Sequence, residues 1–175
     1  MVERLMLRHK RSTDDEPSQR YENAWRLHAA QMEWTGKVDA KAAFALTVQA
    51  ALLGAVVVLL EDMKSGLEYT LLGASAVLVL AGAVFAAAVV APQLRGRKLG
   101  EEAKSNFIFF GHARLWKPER LARELKRSDL VDQLAQQVVV MADIAWKKHR
   151  RVAWSIWLGL AGGALLLASV AVSRI

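Results

Sequence analysis

The chain has 175 residues, of which 54% are hydrophobic and 23% are charged, and it carries a formal net charge of +7 and no cysteine. The absence of cysteine excludes disulfides and thiolate metal sites. Charged residues are kept out of three long apolar stretches, and a soluble chain of this length has too little polar surface to cover three such helices, so the composition disfavours a soluble protein.

The three apolar stretches are long enough to cross a bilayer as helices. They cover residues 42–60, 69–91 and 152–172. A helix rises about 1.5 Å per residue, so a hydrocarbon core of about 30 Å needs about 20 apolar residues. The sequence therefore predicts an all-α membrane protein with three transmembrane helices. We expect no cleavable signal peptide, because the first apolar run begins too late in the chain.

Lysine and arginine are distributed unevenly around these stretches. Lys64 is the only one between the first two spans, and Arg174 is the only one after the third; all others of the 24 precede the first span or lie in the connector 92–151. Because basic segments stay cytoplasmic, we expect a multi-pass protein of the inner membrane with a cytoplasmic N-terminus and a periplasmic C-terminus. Anionic lipid explains the positive charge, which therefore does not point to nucleic acid.

Residues 1–41 are predicted to form a cytoplasmic N-terminal helix. From about Ser18 to Lys41 no proline interrupts this helix, so we expect it to continue into the first span. Within that span Gln49 is the lone strongly polar side chain. Such a residue faces a partner helix or a water-filled cavity rather than lipid.

The connector 92–151 is predicted to be helical and cytoplasmic. Pro118 suits the first turn of a short helix, and Ser128 or Asp129 is placed to cap the next one, which should run without a break into the third span. That helix has an apolar stripe at spacings of three and four, made by Leu130, Leu134, Val138, Met141 and Ala145. Together with the N-terminal helix, the connector is expected to form a small cytoplasmic domain with its own core.

Small residues in the third span allow helices to approach closely. Gly159 and Gly163 form a G-x-x-x-G pair, which is typical of helix packing in membranes. Packing within one subunit and packing between subunits are both compatible with this pair. We expect a homo-oligomer.

The stretch SNFIFFGH is unusual within the charged connector. Four apolar residues, Phe107–Phe110, are followed by Gly111, which permits a turn or a close backbone approach. One interpretation is a buried segment that wedges helices together. The other is a binding site for an anionic ring ligand, in which aromatic faces stack a base while Asn106, His112 and Arg114 form hydrogen bonds.

Three stretches, taken in order, resemble the Pycsar effector transmembrane family of small bacterial anti-phage proteins. They are QMEWTGKVDAKAAFAL at 31–46, SNFIFFGHARL at 105–115 and DLVDQLAQQVVVMADIAWKKHRRVAW at 129–154. The resemblance implies an effector that senses cyclic UMP or cyclic CMP, made by a dedicated cyclase, on its cytoplasmic side. The effector would then oligomerise or open and impair the inner membrane, so that the infected cell stops growing.

The resemblance also implies a nucleotide-binding set. Its members are Asp39, Lys41, Asn106, Phe109, Gly111, His112, Arg114, Asp143 and Lys147. We expect His112, Arg114 or Lys147 near the phosphate. Asn106 or Asp143 would read the base, and Phe109 or Phe110 would stack on it.

Each of these residues also has a structural interpretation. Asp39 and Lys41 suit a charged membrane boundary, and Asp143 and Lys147 have the spacing of an ordinary i, i+4 ion pair. His112 is compatible with a core histidine whose hydrogen bonds are satisfied within the protein.

Catalysis is not expected. The sequence contains no nucleophile–base pairing, metal-ligand spacing or glycine-rich phosphate loop, so we predict neither an enzyme nor a metal or cofactor. The alternative function is a non-gated membrane scaffold or channel subunit that binds protein through its cytoplasmic helices.

Overall fold

The computed structural model describes residues 2–92 and 99–174, with side chains from residue 18 onward. In chain order the helices are α1 (Val2–Leu60), α2 (Gly66–Val90), α3 (Leu99–Glu102), α4 (Phe110–Ala113), α5 (Pro118–Leu125) and α6 (Val131–Val172). The described residues contain no strand, and three helices are long and apolar enough to cross a membrane: Ser18–Leu60 within α1, α2 and α6. The prediction of an all-α membrane protein with three spans is therefore confirmed, and α1 runs without a break from Val2 into the first apolar stretch.

The chain divides into two compact units. We call Trp34–Pro92 with Ile144–Ile175 the membrane unit, and Met1–Glu33 with Gln93–Asp143 the connector unit. The positions at which α1 and α6 enter the bilayer, predicted near residues 42 and 152, stay predictions.

A capping box determines where α2 starts in the membrane unit. The Ser65 hydroxyl accepts a hydrogen bond from the backbone N–H of Glu68, and the Glu68 carboxylate accepts from the Ser65 hydroxyl and from the backbone N–H of Lys64. These bonds satisfy groups that a helix N-terminus otherwise leaves unpaired. The turn that follows Leu60 therefore ends at Ser65, and α2 begins at the next residue.

Small residues bring α2 and α6 close together. A Cβ atom at Gly162 would lie 3.0 Å from the Ser75 carbonyl oxygen, and one at Gly82 would lie 3.0 Å from the Ser155 carbonyl oxygen. The Ser75 hydroxyl donates to the Gly162 carbonyl oxygen at 2.7 Å. Such close backbone approach, with hydrogen bonds between helices, is how membrane helices gain stability without a hydrophobic driving force.

Gln49 joins α1 to α6 at the same level. The residue is 2% exposed, and its Nε2 donates to the Ser155 carbonyl oxygen at 2.8 Å and to the Ser155 hydroxyl at 2.9 Å. The prediction that this residue faces a partner helix is confirmed.

The G-x-x-x-G pair faces α1 within the subunit. A Cβ atom at Gly159 would lie 3.1 Å from Gln49 Nε2, whereas one at Gly163 would have no neighbour nearer than Leu52, at 3.9 Å. Both glycines line an apolar groove of about 950 Å³ between α1 and α6. Gly159 thus makes room for Gln49, and a role for either glycine between subunits stays a prediction.

The connector unit is organised around Phe107 and Trp116. Their rings meet edge to face with centroids 5.4 Å apart, and Trp116 Nε1 donates to the Asn106 carbonyl oxygen at 3.2 Å. The Arg120 guanidinium lies 4.3 Å from the centre of the Trp116 ring and donates to the Lys104 carbonyl oxygen. Phe107 is buried, so this part of the aromatic run packs inside the connector unit.

Pro118 and Asp129 mark the starts of connector helices, as predicted. Pro118 starts α5, and the Asp129 carboxylate accepts from the Val131 backbone N–H at 3.0 Å just before α6. Ser128, the other candidate cap, instead donates to the Glu124 carboxylate. Leu134, in the predicted apolar stripe of α6, is fully buried.

Candidate functional site

The aromatic run does not act as one hydrophobic block. Phe107 is buried, whereas Phe110 is 67% exposed. Phe109 has an extended backbone and is the N-cap of α4, and its ring lies with its centroid 4.5 Å from that of Phe110. The change from extended to helical backbone at Phe109–Phe110 therefore sends neighbouring aromatic side chains to different environments.

Gly111 is needed for a close approach rather than for an unusual backbone angle. No glycine in the described part of the chain has a positive φ. A Cβ atom at Gly111, however, would overlap the Phe109 ring, which packs directly against the glycine. Of the two uses that the sequence allowed for Gly111, the structure has the close approach.

A small polar cavity of about 80 Å³ lies beside this motif, wholly within the connector unit. Its walls come from α3, the SNFIFFGH segment and α6. The lining residues are Glu102, Asn106, Ile108, Phe109, His112, Gln133, Gln136, Gln137 and Val140. The members from α6 are spaced by three, four and seven residues, which places them on one helix face. The cavity therefore combines amides, a carboxylate, an imidazole and an aromatic ring.

His112 is the most buried polar side chain of the cavity. Its side chain is 9% exposed, and its Nε2 lies 3.2 Å from Glu102 Oε2. An ionised carboxylate can only accept, so in this contact Nε2 carries a proton and donates. The other ring nitrogen, Nδ1, is buried and has no hydrogen-bond partner within the described residues. An unpaired buried polar atom costs stability, and His112, which carries this nitrogen, is one of the residues that line the cavity.

Gln133 connects the cavity to the aromatic motif. Its Oε1 accepts from the Phe107 backbone N–H at 3.4 Å. Gln137 lies one turn further along α6, on the same wall. Reasoning from the sequence missed these glutamines and Glu102, although three glutamines on one face of a helix that leads into a span were a signal for a polar site.

The predicted nucleotide-binding residues are only partly brought together. Asn106, Phe109 and His112 line the cavity, and Gly111 lies beneath the Phe109 ring. Arg114, the C-cap of α4, is exposed and is not among the lining residues.

The remaining members of the predicted set lie on α1 and α6. Asp143 and Lys147 are exposed on α6, and neither lines the cavity. In the membrane unit, Lys41 borders the apolar groove. Asp39 accepts two hydrogen bonds from Lys148 Nζ, at 2.6 and 2.9 Å, which gives it a structural partner that the sequence did not reveal.

The matches to known proteins extend over the segments that line this cavity. A family model described as the Pycsar effector protein domain matches residues 23–174. The chain is 29% identical over 151 residues to the Pycsar effector protein PtPycTM of Propioniciclava tarda, which covers 81% of this chain and 74% of that protein. No solved structure matches the chain.

Proposed function

This chain belongs to the Pycsar effector family of anti-phage membrane proteins, and from that premise we propose that it binds cyclic UMP or cyclic CMP and then impairs the inner membrane. The family is not known as an enzyme class, and we propose no catalytic activity for this member. The proposal places the nucleotide in the connector unit, at the cavity beside Phe109 and His112.

The observation that carries the proposal is the buried, unpaired Nδ1 of His112, a residue that lines a cavity together with several amide side chains. Asn106 and Gln137 each offer a donor and an acceptor, and Gln133 offers its amide donor, which together suit the edge of a pyrimidine. Phe109 adds an aromatic surface of the kind on which bases stack. No purely apolar or purely charged ligand would use this combination.

The size of the cavity limits how much of the ligand it encloses. Pockets that bury a drug-sized molecule are roughly 300–1,000 Å³, whereas this one is about 80 Å³. It can therefore enclose one end of a mononucleotide and not the whole molecule. We propose that Arg114, which is exposed two residues after His112, meets the phosphate outside the cavity.

Binding in the connector unit must change the membrane-buried part for the protein to act as an effector. The single helix α6 carries Gln133 and Gln137 near its start and Ser155 further along. We propose that the nucleotide favours one of two packing states of the subunits, which requires different affinities for the two states. The positive-inside rule supports a cytoplasmic N-terminus and a periplasmic C-terminus, so the ligand would be sensed in the cytoplasm.

Calorimetry on the purified protein in detergent tests the proposal. Cyclic UMP and cyclic CMP are titrated into wild-type protein, with cyclic AMP as the control ligand. We expect heat and a thermal shift with at least one pyrimidine nucleotide, and weaker binding by His112→Ala and Phe109→Ala with normal membrane insertion. If neither pyrimidine nucleotide gives heat or a thermal shift, the proposal is wrong and a non-gated scaffold or channel subunit becomes the better description.

A further inference from the structure

We infer that the cavity receives the base end of the nucleotide, and that His112 accepts a hydrogen bond from an N–H group of the base while the phosphate stays outside. This inference rests on the proposed function and deepens it. It also replaces the role near the phosphate that the sequence suggested for His112.

The contact with Glu102 determines which tautomer a neutral His112 adopts. Because Nε2 donates to the Glu102 carboxylate, the neutral imidazole carries its proton on Nε2 and has a lone pair on Nδ1. That nitrogen is buried and without a partner among the described residues. His112 lines the cavity, so with the ring neutral we take this nitrogen as the acceptor that a ligand with a donor would satisfy.

The ligand can offer a hydrogen-bond donor from its base or its sugar, but not from its phosphate. A cyclic phosphodiester at neutral pH has acceptor oxygens and no proton, so it cannot pair with an acceptor nitrogen. Uracil has a donor at N3–H, and cytosine has donors on its exocyclic amine. The remaining donor of the nucleotide is the ribose 2′-hydroxyl, which an analogue can remove.

The charge of the cavity lining disfavours a phosphate inside it. Among the described residues, no lysine or arginine lines it, and Glu102 contributes a carboxylate whose side chain is 42% exposed. A phosphate inside would lie near that like charge without a cation to offset it. The phosphate is therefore placed outside, where the basic side chains of the connector are exposed.

Gln133 completes the match to a base edge. Its Oε1 is used by the Phe107 backbone N–H, so the amide N–H₂ is the group that Gln133 can offer to a ligand. A donor on Gln133 and an acceptor on His112 would complement the neighbouring acceptor and donor of either base, which are O4 and N3–H in uracil and N3 and the exocyclic amine in cytosine. Glu102 acts as a positioning residue, because it holds the imidazole in the tautomer that the ligand needs.

The test uses nucleotide analogues on wild-type protein at pH 8, with calorimetry as the readout. Methylation of N3 in cyclic UMP, or dimethylation of the amine in cyclic CMP, removes the base donors and should weaken binding by about tenfold or more. The 2′-deoxy analogue should keep most of the affinity. His112→Phe should bind the parent and the methylated ligand equally weakly. The matched control is His149→Phe, because His149 Nδ1 already contacts the Ala145 carbonyl oxygen at 2.8 Å.

The outcomes separate this inference from the proposed function. If wild-type protein binds the parent and the methylated nucleotides equally well, the inference is wrong and the proposed function stands. If only the 2′-deoxy analogue loses binding, His112 pairs with the ribose 2′-hydroxyl and not with the base, which would also overturn the inference. Binding of neither parent nucleotide would overturn both. The wild-type comparisons need no variant, so they decide the question even if His112→Phe does not fold.

Discussion

Alanine substitution at two neighbouring glycines of α6 would test the packing of the membrane unit most directly. A Cβ atom at Gly162 would meet Val79 Cγ2 at 2.5 Å, the Ser75 carbonyl oxygen at 3.0 Å and the Val79 backbone nitrogen at 3.1 Å. Two of these neighbours are backbone atoms of α2, which cannot move unless the helices separate. At Gly163 the nearest atom is a flexible Leu52 methyl group at 3.9 Å.

The magnitudes follow from these distances. Overpacking a well-packed site costs about 1–3 kcal/mol, and replacing glycine by alanine within a helix returns about 1 kcal/mol. Gly162→Ala should therefore lower the free energy of unfolding by up to about 2 kcal/mol, whereas Gly163→Ala should leave it unchanged or raise it by up to about 1 kcal/mol. The helix-propensity gain is common to both variants, so the difference between them isolates the clash with α2.

Unfolding by a denaturing detergent in mixed micelles, followed by circular dichroism, measures both variants against wild type. We expect Gly162→Ala to unfold at a lower detergent fraction than Gly163→Ala, by an amount equivalent to about 1–3 kcal/mol. Equal stability of the two variants, or a less stable Gly163→Ala, would refute the close approach of α2 and α6 at Gly162.

Four further predictions concern other contacts. Gln49→Leu removes two hydrogen bonds between α1 and α6 and should lower stability by about 0.6–2 kcal/mol in the same unfolding assay; unchanged stability would contradict the importance of this bridge. Gly111→Ala forces an aromatic ring out of its place at the cavity, so nucleotide affinity should fall while membrane insertion, measured by fractionation, stays normal. The charge-reversed pair Asp39→Lys with Lys148→Asp should be more stable than either single variant, as a double-mutant cycle would show. Gly163→Leu should change the oligomer size on native gels if this glycine lies between subunits, and an unchanged size would exclude that role.

The three spans are predictable from the sequence because the signal is local. Each needs only an apolar run that matches the thickness of the bilayer, and no information about which helix lies beside it. The cap at Asp129 and the start of α5 at Pro118 are local in the same sense, since each depends on bonds or dihedral angles within a few residues. The choice of Asp129 over Ser128 already required the structure.

The cavity could not be predicted from local patterns, because its walls come from distant parts of the chain. Glu102 and Gln133 are thirty-one positions apart in the printed sequence, and nothing in either local pattern indicates that both line one cavity. The partner of Asp39 shows the same limit. Successive residues of a helix point about 100° apart, so whether Lys147 or Lys148 reaches Asp39 depends on the rotation of α6, and the structure selects Lys148.

By itself, the amino-acid sequence determined that this protein is helical, crosses the membrane three times and resembles a family of anti-phage effectors, because hydropathy, length and ordered motifs are properties of continuous segments. Only the tertiary structure decided that Phe107 is buried against Trp116 while Phe109 lines a cavity, that Gln49 bridges two helices, and that Glu102 contacts the His112 ring. These features depend on how each helix is rotated about its axis and on how closely the helices pack. Both are set only when segments that are distant in the sequence pack together in one core.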